Sequence, residues 1–209
     1  MIQINNLCKK YYDNYVINDL NITINNNEFL GIIGASGCGK STLLNIIGQI
    51  DLDYTGSIYF DKIKMNTLSK RDREKFIRYN INYLFQNFAL IDTMTVEENL
   101  LIGLEYTKLN KNDKKKKIRS ILNQLELQDY AMKKIYTLSG GEQQRVALGR
   151  IMIKPGDIVL ADEPTGNLDK KNSQLVINLL KLLQKNGKTI IVVTHSDYVA
   201  NQCDRIINL

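Results

Sequence analysis

Apolar positions along the 209 residues recur with two different periods, and the switches between them outline the elements. Short bunches of apolar and β-branched residues predict strands around 2–4, 21–25 and 28–33, separated by Asn-rich turns, with Asn25-Asn26-Asn27 as a tight turn. From Lys40 to Gly48 the period lengthens to that of a helix. A strand at 57–60, a polar helix near 69–79 and a strand at 81–85 follow. Residues 95–132 read as helical: Thr95 and Glu98 spell a capping box, and Ile118, Ile121, Leu122 and Leu125 share one helix face. Beyond them, strands at 157–162 and 188–193 flank a helix near 172–185, the alternation of a parallel sheet with crossover helices. No internal repeat or low-complexity linker interrupts the pattern, so a single α/β domain over 1–209 is expected.

Composition narrows this only slightly. With 44% apolar and 24% charged residues the chain can bury a full core. No apolar run approaches the roughly 20 residues that cross a bilayer; Ile190-Ile191-Val192-Val193 has buried-strand length. The start, Met1-Ile2-Gln3-Ile4-Asn5, has no basic region followed by an apolar one, so no export signal is expected and a cytoplasmic location is. Cys8, Cys38 and Cys203 sit at no metal or disulfide spacing. The net charge of +6 is spread along the chain, and Lys114-Lys115-Lys116-Lys117 reads as a solvated helix start, opposed to the helix dipole, rather than a binding patch. Nucleic acid is not an expected partner.

Chemistry enters with Gly34-Ala35-Ser36-Gly37-Cys38-Gly39-Lys40-Ser41-Thr42, which fits G-x-x-x-x-G-K-[ST]. Its glycines let backbone N–H groups close on a phosphate, its lysine reaches the β- and γ-oxygens, and its serine hydroxyl holds Mg²⁺. Placed where a helix begins, it is an anion site. Cys38 beside Lys40 at that helix start is either an activated thiol or a small packing residue. The loop alone implies only nucleotide binding. Ile158 to Ala161 then make a buried strand with Asp162 at its carboxyl end, where it can hold the shell of Mg²⁺, and Glu163 follows directly. Ser139 and Glu142 in Leu138-Ser139-Gly140-Gly141-Glu142-Gln143 spell a second capping box. Each glycine in its first turn weakens the helix by about 1 kcal/mol relative to alanine, so the pair needs a reason.

These three segments together resemble the ATP-binding cassette (ABC) family, the motor subunits of ABC transporters, and the resemblance covers essentially the whole chain. It implies a P-loop NTPase (RecA-like) parallel-sheet core with an N-terminal antiparallel β subdomain and an inserted α-helical subdomain. The core would take 1–86 and 154–209, the helical part 87–153. It further implies that ATP and Mg²⁺ are bound, with Ser41, Gln86 and Asp162 on the metal and Glu163 as general base for the attacking water. By the same likeness His195 steadies the γ-phosphate, Tyr11 stacks on adenine with Tyr12 and Tyr15 as rivals, and Asn167-Leu168-Asp169 is the loop that crosses a dimer. Ser139, Gly140, Gly141 and Glu142 would receive the γ-phosphate of ATP bound to a second subunit, so two copies pair head to tail.

Within the family, Phe85-Gln86-Asn87-Phe88-Ala89-Leu90 and Asp162 to Asp169 look like the macrolide, lipoprotein and antimicrobial-peptide (bacteriocin) export group. That implies a separate transmembrane permease subunit and a peripheral place on the inner membrane face. The apolar members of Asn87 to Thr95, namely Phe88, Leu90, Ile91 and Met94, read as a docking segment for it. A cell-division-type cassette that signals to a cell-wall hydrolase is the rival reading. Soluble cassettes of DNA repair or translation are tandem or carry coiled-coil insertions, which 209 residues do not accommodate. Departures from the family pattern are Asn27 before Glu28, where glycine is frequent, and Tyr54 and Asp92, where proline is. The chain stops at Ile206-Ile207-Asn208-Leu209, before a tail many relatives carry, and a C-terminal regulatory domain is not expected.

Overall fold

A computed structural model describes every residue of the chain except Asn167. An antiparallel sheet of order β2-β1-β4-β5 is built from β1 (Ile2–Tyr11), β2 (Asn14–Ile24), β4 (Thr55–Phe60) and β5 (Ile63–Lys64). The second sheet is wholly parallel, of order β6-β7-β8-β3-β9, from β3 (Phe29–Ile33), β6 (Ile81–Leu84), β7 (Ile158–Asp162), β8 (Thr189–Val193) and β9 (Arg205–Asn208). Helices α1 (Lys40–Ile47), α2 (Lys70–Asn80), α3 (Val96–Gly103), α4 (Lys111–Gln124), α5 (Gly140–Ile153), α6 (Lys170–Lys185) and α7 (Asp197–Ala200) complete it. The architecture is α/β, with an antiparallel sheet beside the parallel one and helices between them, as the resemblance implies.

The continuous apolar runs of the parallel strands follow from burial on both faces. Phe29, Val159, Ala161, Ile190 and Val192 point into a core shared with α3, α4, α5 and α6. Their neighbours Leu30, Leu160, Ile191 and Val193 point the other way, into a core shared with α1 and the antiparallel sheet. Every loop leaving the carboxyl ends of β3, β6, β7 and β8 therefore opens on one edge, where ligands of such sheets bind.

The elements differ from expectation chiefly in the N-terminal hairpin and over 95–132. The N-terminal hairpin is longer, because irregular register between Ile4 and Lys10 lets polar residues pair without breaking the ladder. The single helical stretch over 95–132 is two helices. The first ends at Gly103, Asn110 caps the second by accepting from the Asp113 N–H, and the chain turns into a short 3₁₀ segment at Gln128–Tyr130. Asp113 in that first turn favours the helix dipole, and Lys114 to Lys117 fall one turn further in than expected. Asn27 takes φ 60, the left-handed turn for which asparagine is suited.

Candidate functional site

The loop between β3 and α1 is shaped by three glycines at positive φ: Gly34 at 152°, Gly37 at 80° and Gly39 at 102°. A Cβ on Gly39 would lie 2.5 Å from Val16 Cγ1, so the loop rests against the β1–β2 hairpin. Among the described residues no side chain caps α1, and no acidic residue sits in its first turn. Its leading N–H groups and positive dipole end thus face outward, as an anion requires. Lys40 is nine-tenths buried, with Nζ donating to Gly34 O at 2.9 Å and Ala35 O at 2.8 Å. Cys38 Sγ lies 3.9 Å from that ammonium, so the sulfur faces into the loop.

At the same sheet edge Ser41 Oγ donates to Asp162 Oδ1 at 3.0 Å. Burial pushes the Asp162 carboxyl above its ordinary pKa, the Ser41 bond and Lys40 pull it down and neighbouring Glu163 raises it, with a net upward shift. An anion disfavoured in this way, paired with a hydroxyl, is a hard-oxygen donor set suited to Mg²⁺, which takes one or two protein groups and completes its shell with water and phosphate. Among the described residues no cluster of three His, Cys, Asp or Glu offers a stronger protein cage. Gln86 is exposed in the turn after β6. The pairing of Leu84 with Ala161 brings that strand end beside Asp162.

Glu163 adopts φ 45, a left-handed conformation that a non-glycine residue holds only when its surroundings impose it. Its N–H donates to Val193 O at 3.0 Å. Its carboxylate accepts from Thr194 Oγ1 at 3.2 Å and from the His195 N–H at 3.4 Å, and lies 2.8 Å from His195 Nδ1. The His195 side chain remains 72% exposed, free to reach a ligand. Thr194, fully buried, is a member of the site that the sequence reading passed over as the end of an apolar strand.

Ser139 forms the expected capping box at the start of α5. Its hydroxyl accepts from the Glu142 N–H at 3.4 Å, while Glu142 Oε2 accepts from the Ser139 N–H at 2.8 Å and Oγ–H at 2.9 Å. The two glycines have different causes. A Cβ on Gly141 would meet the Asn172 amide at 2.8 Å, and Asn172 is in turn held by Asp169, which caps α6. A Cβ on Gly140 would meet nothing within 4 Å, so nothing among the described residues explains that glycine. Among the described residues no hydrogen bond joins Ser139 to Glu142 with the phosphate loop. Asn167 of the expected dimer-crossing loop lies outside the described residues.

Tyr11 ends β1 and is 48% exposed; its rivals Tyr12 and Tyr15, at the hairpin tip, are more exposed. Only Tyr11 has both a cation at its ring, Lys9 Nζ at 4.9 Å from the centroid, and a carboxylate at its hydroxyl, Asp51 at 3.5 Å. Of the suggested docking segment, Phe88 and Leu90 pack against the helical core, and Ile91 is exposed. Phe88 and Ala89 have φ 62 and 47, and Arg150 of α5 donates to both of their carbonyls at 3.0 and 2.8 Å. The exposed apolar surface lies next door, in a groove of about 360 Å³ between α1, α2, β6 and α3, lined by Ile50, Ile77, Phe85, Ile102 and Arg150.

The model of the family described as ABC transporter matches residues 17–166. Over 209 aligned residues, all of this chain, 36% are identical to the macrolide export ATP-binding/permease protein MacB of Campylobacter jejuni, of which 33% is covered. The chain thus spans about a third of the length of that relative. It is 40% identical over 218 residues to the uncharacterized ABC transporter ATP-binding protein MJ0796 of Methanocaldococcus jannaschii, covering 93% of it. The solved dimeric structure of MJ0796 matches with TM-score 0.91 at 39% identity, over 100% of this chain and 94% of that one. A second MJ0796 structure, a dimeric post-hydrolysis state bound to ADP and Pi, matches at 0.90, with the same identity and coverage.

Proposed function

The chain belongs to the ABC transporter family as one of its ATP-hydrolysing cassettes, and on that premise we propose that it powers export or membrane extraction of a peptide, lipoprotein or drug-like substrate. The observation that carries the site assignment is the run of contacts at the sheet edge. Ser41 is bonded to Asp162, and the adjacent Glu163 is clamped by Thr194 and His195.

In the reaction, the N–H groups of the glycine loop and Lys40 hold the β- and γ-phosphates, while Tyr11 stacks on the base. Ser41, Asp162 and Gln86 would hold Mg²⁺, which neutralises charge on the transferring phosphoryl group. Glu163 takes a proton from the attacking water as its oxygen bonds to the γ-phosphorus. The bond from that phosphorus to the bridging oxygen breaks, giving ADP and phosphate. His195 holds Glu163 in register and steadies the γ-phosphate. Ser139, Gly140, Gly141 and Glu142 act on ATP held by a second copy, which gives the space at Gly140 an occupant. Asp169 holds Asn172, whose amide stands where a Cβ on Gly141 would be, so the start of α6 packs against the start of α5.

The functional units follow: 1–86 with 154–209 bind nucleotide, and 87–153 carry the signature helix. The partner is a transmembrane permease, whose cytoplasmic helix would dock in the groove beside Gln86, with the cassette peripheral on the inner membrane face. MacB is described as an ATP-binding/permease protein, which supports this pairing. Glu163→Gln tests the chemistry. It should keep ATP binding while turnover drops by the roughly 10²–10⁴-fold typical of a lost general base; wild-type turnover would remove Glu163 from that role.

A further inference from the structure

Lys9 lies on β1 two residues before Tyr11, and its side chain is only 3% exposed, rare for a lysine. Its ammonium donates to Asp51 Oδ1 at 3.0 Å, to Asp53 O at 2.6 Å and to Asp53 Oδ2 at 3.2 Å, occupying all three donors. Asp51 also accepts from the Asp53 N–H at 3.0 Å and lies 3.5 Å from the Tyr11 hydroxyl. The Tyr11 side chain is therefore held at two points: the ammonium 4.9 Å from its ring centroid and the Asp51 carboxylate at its tip.

Asp51 and Asp53 belong to the segment that leaves α1. The N–H groups of Ile50 and Asp51 both donate to Asn45 O, at 2.9 and 3.2 Å, which fixes that segment to the helix. Since α1 begins at Lys40, the cluster joins the aromatic ring to the same rigid helix that presents the phosphate loop. Lys9 is buried while Asp53 is 96% exposed, and such a pair is weak support for stability, because desolvation of the ammonium offsets its attraction. Its geometric effect here is specific: it sets where an aromatic face stands relative to bound phosphates.

We propose that Lys9, locked by Asp51 and Asp53, is a positioning residue for base recognition, holding Tyr11 at the distance from the phosphate loop that an adenine ring must span. The inference rests on the reading of Tyr11 as the stacking residue.

Two probes separate base from phosphate: ATP, and inorganic tripolyphosphate, which has no base. Titration calorimetry of the whole chain with Lys9→Met should show ATP binding weakened about tenfold, within the range for loss of one base stack, and tripolyphosphate binding unchanged. The KM for ATP should rise by the same factor with kcat within about twofold, as for loss of uniform binding. Asp51→Asn keeps the side-chain shape and should do the same, so the test survives if Lys9→Met does not fold. Adding Lys9→Met to Tyr11→Ala should weaken ATP no further than Tyr11→Ala alone, since both act through one ring. Unchanged ATP binding in the folded variants, or an equal loss for tripolyphosphate, overturns the proposal. If Tyr11→Ala weakens ATP but the Lys9 and Asp51 variants do not, only the positioning role fails. If Tyr11→Ala also leaves ATP unaffected, the stacking role fails, and the positioning role with it.

Discussion

Thr194 shows how the site is tuned at the scale of one side chain. Its hydroxyl donates to Glu163 Oε2 at 3.2 Å and accepts from the Ser196 N–H at 3.1 Å, so it both orients the base and shapes the turn that presents His195. Thr194→Val removes these bonds at nearly constant volume. A net hydrogen bond is worth about 1 kcal/mol, so kcat should fall about fivefold with the KM for ATP little changed, measurable by phosphate release. Equal kcat in the variant would mean that His195 alone holds Glu163. The residues that lie in contiguous motifs, from Gly34 to Thr42 and from Asp162 to Glu163, were legible because their chemistry demands fixed local spacing. Thr194, 31 residues from Glu163, and Lys9, 42 from Asp51, were not: nothing in their neighbourhoods marks the partner that folding supplies.

Among the elements, local chemistry was readable and tertiary pairing was not. Both capping boxes form as their Thr95–Glu98 and Ser139–Glu142 spacings imply. The hairpin over 2–24 was read too short, since its polar residues pair through irregular register that no alternation reveals. Strand β9, four residues long, exists because it pairs in parallel with β3, 175 residues away in sequence between Leu30 and Arg205. The Thr95 cap has a measurable share in stability. Thr95 is buried and accepts from the Glu98 N–H at 3.1 Å, so Thr95→Ala should lower unfolding free energy by about 1 kcal/mol in urea denaturation. Glu98, bonded to the Thr95 N–H, is held below its ordinary pKa of 4.5. A depressed carboxyl stabilises the fold above that ordinary value and loses its contribution as pH falls through the lower folded one. The destabilisation by Glu98→Gln should therefore shrink below pH 4.5; a penalty constant down to pH 3 would contradict the box's charge-dependent half.

On the scale of the whole molecule, the parallel sheet gathers Lys40, Ser41, Asp162, Glu163 and His195 on one edge, while among the described residues no hydrogen bond joins Ser139 to Glu142, at the start of α5, to any of them. The groove beside Gln86 is the second outward feature, with Ile50 54% and Ile102 40% exposed. If the proposed permease docks in this groove, Ile102→Glu should abolish co-purification with it while the melting temperature holds; retained co-purification would move the dock elsewhere. In the proposed head-to-tail pairing each ATP is enclosed between two copies of the chain. Size-exclusion chromatography with light scattering on Glu163→Gln, with ATP and Mg²⁺, tests it most directly. A species of twice the 23.9 kDa chain mass is expected, lost when Ser139→Arg is added. A monomer that binds ATP and stays monomeric in both variants would contradict it.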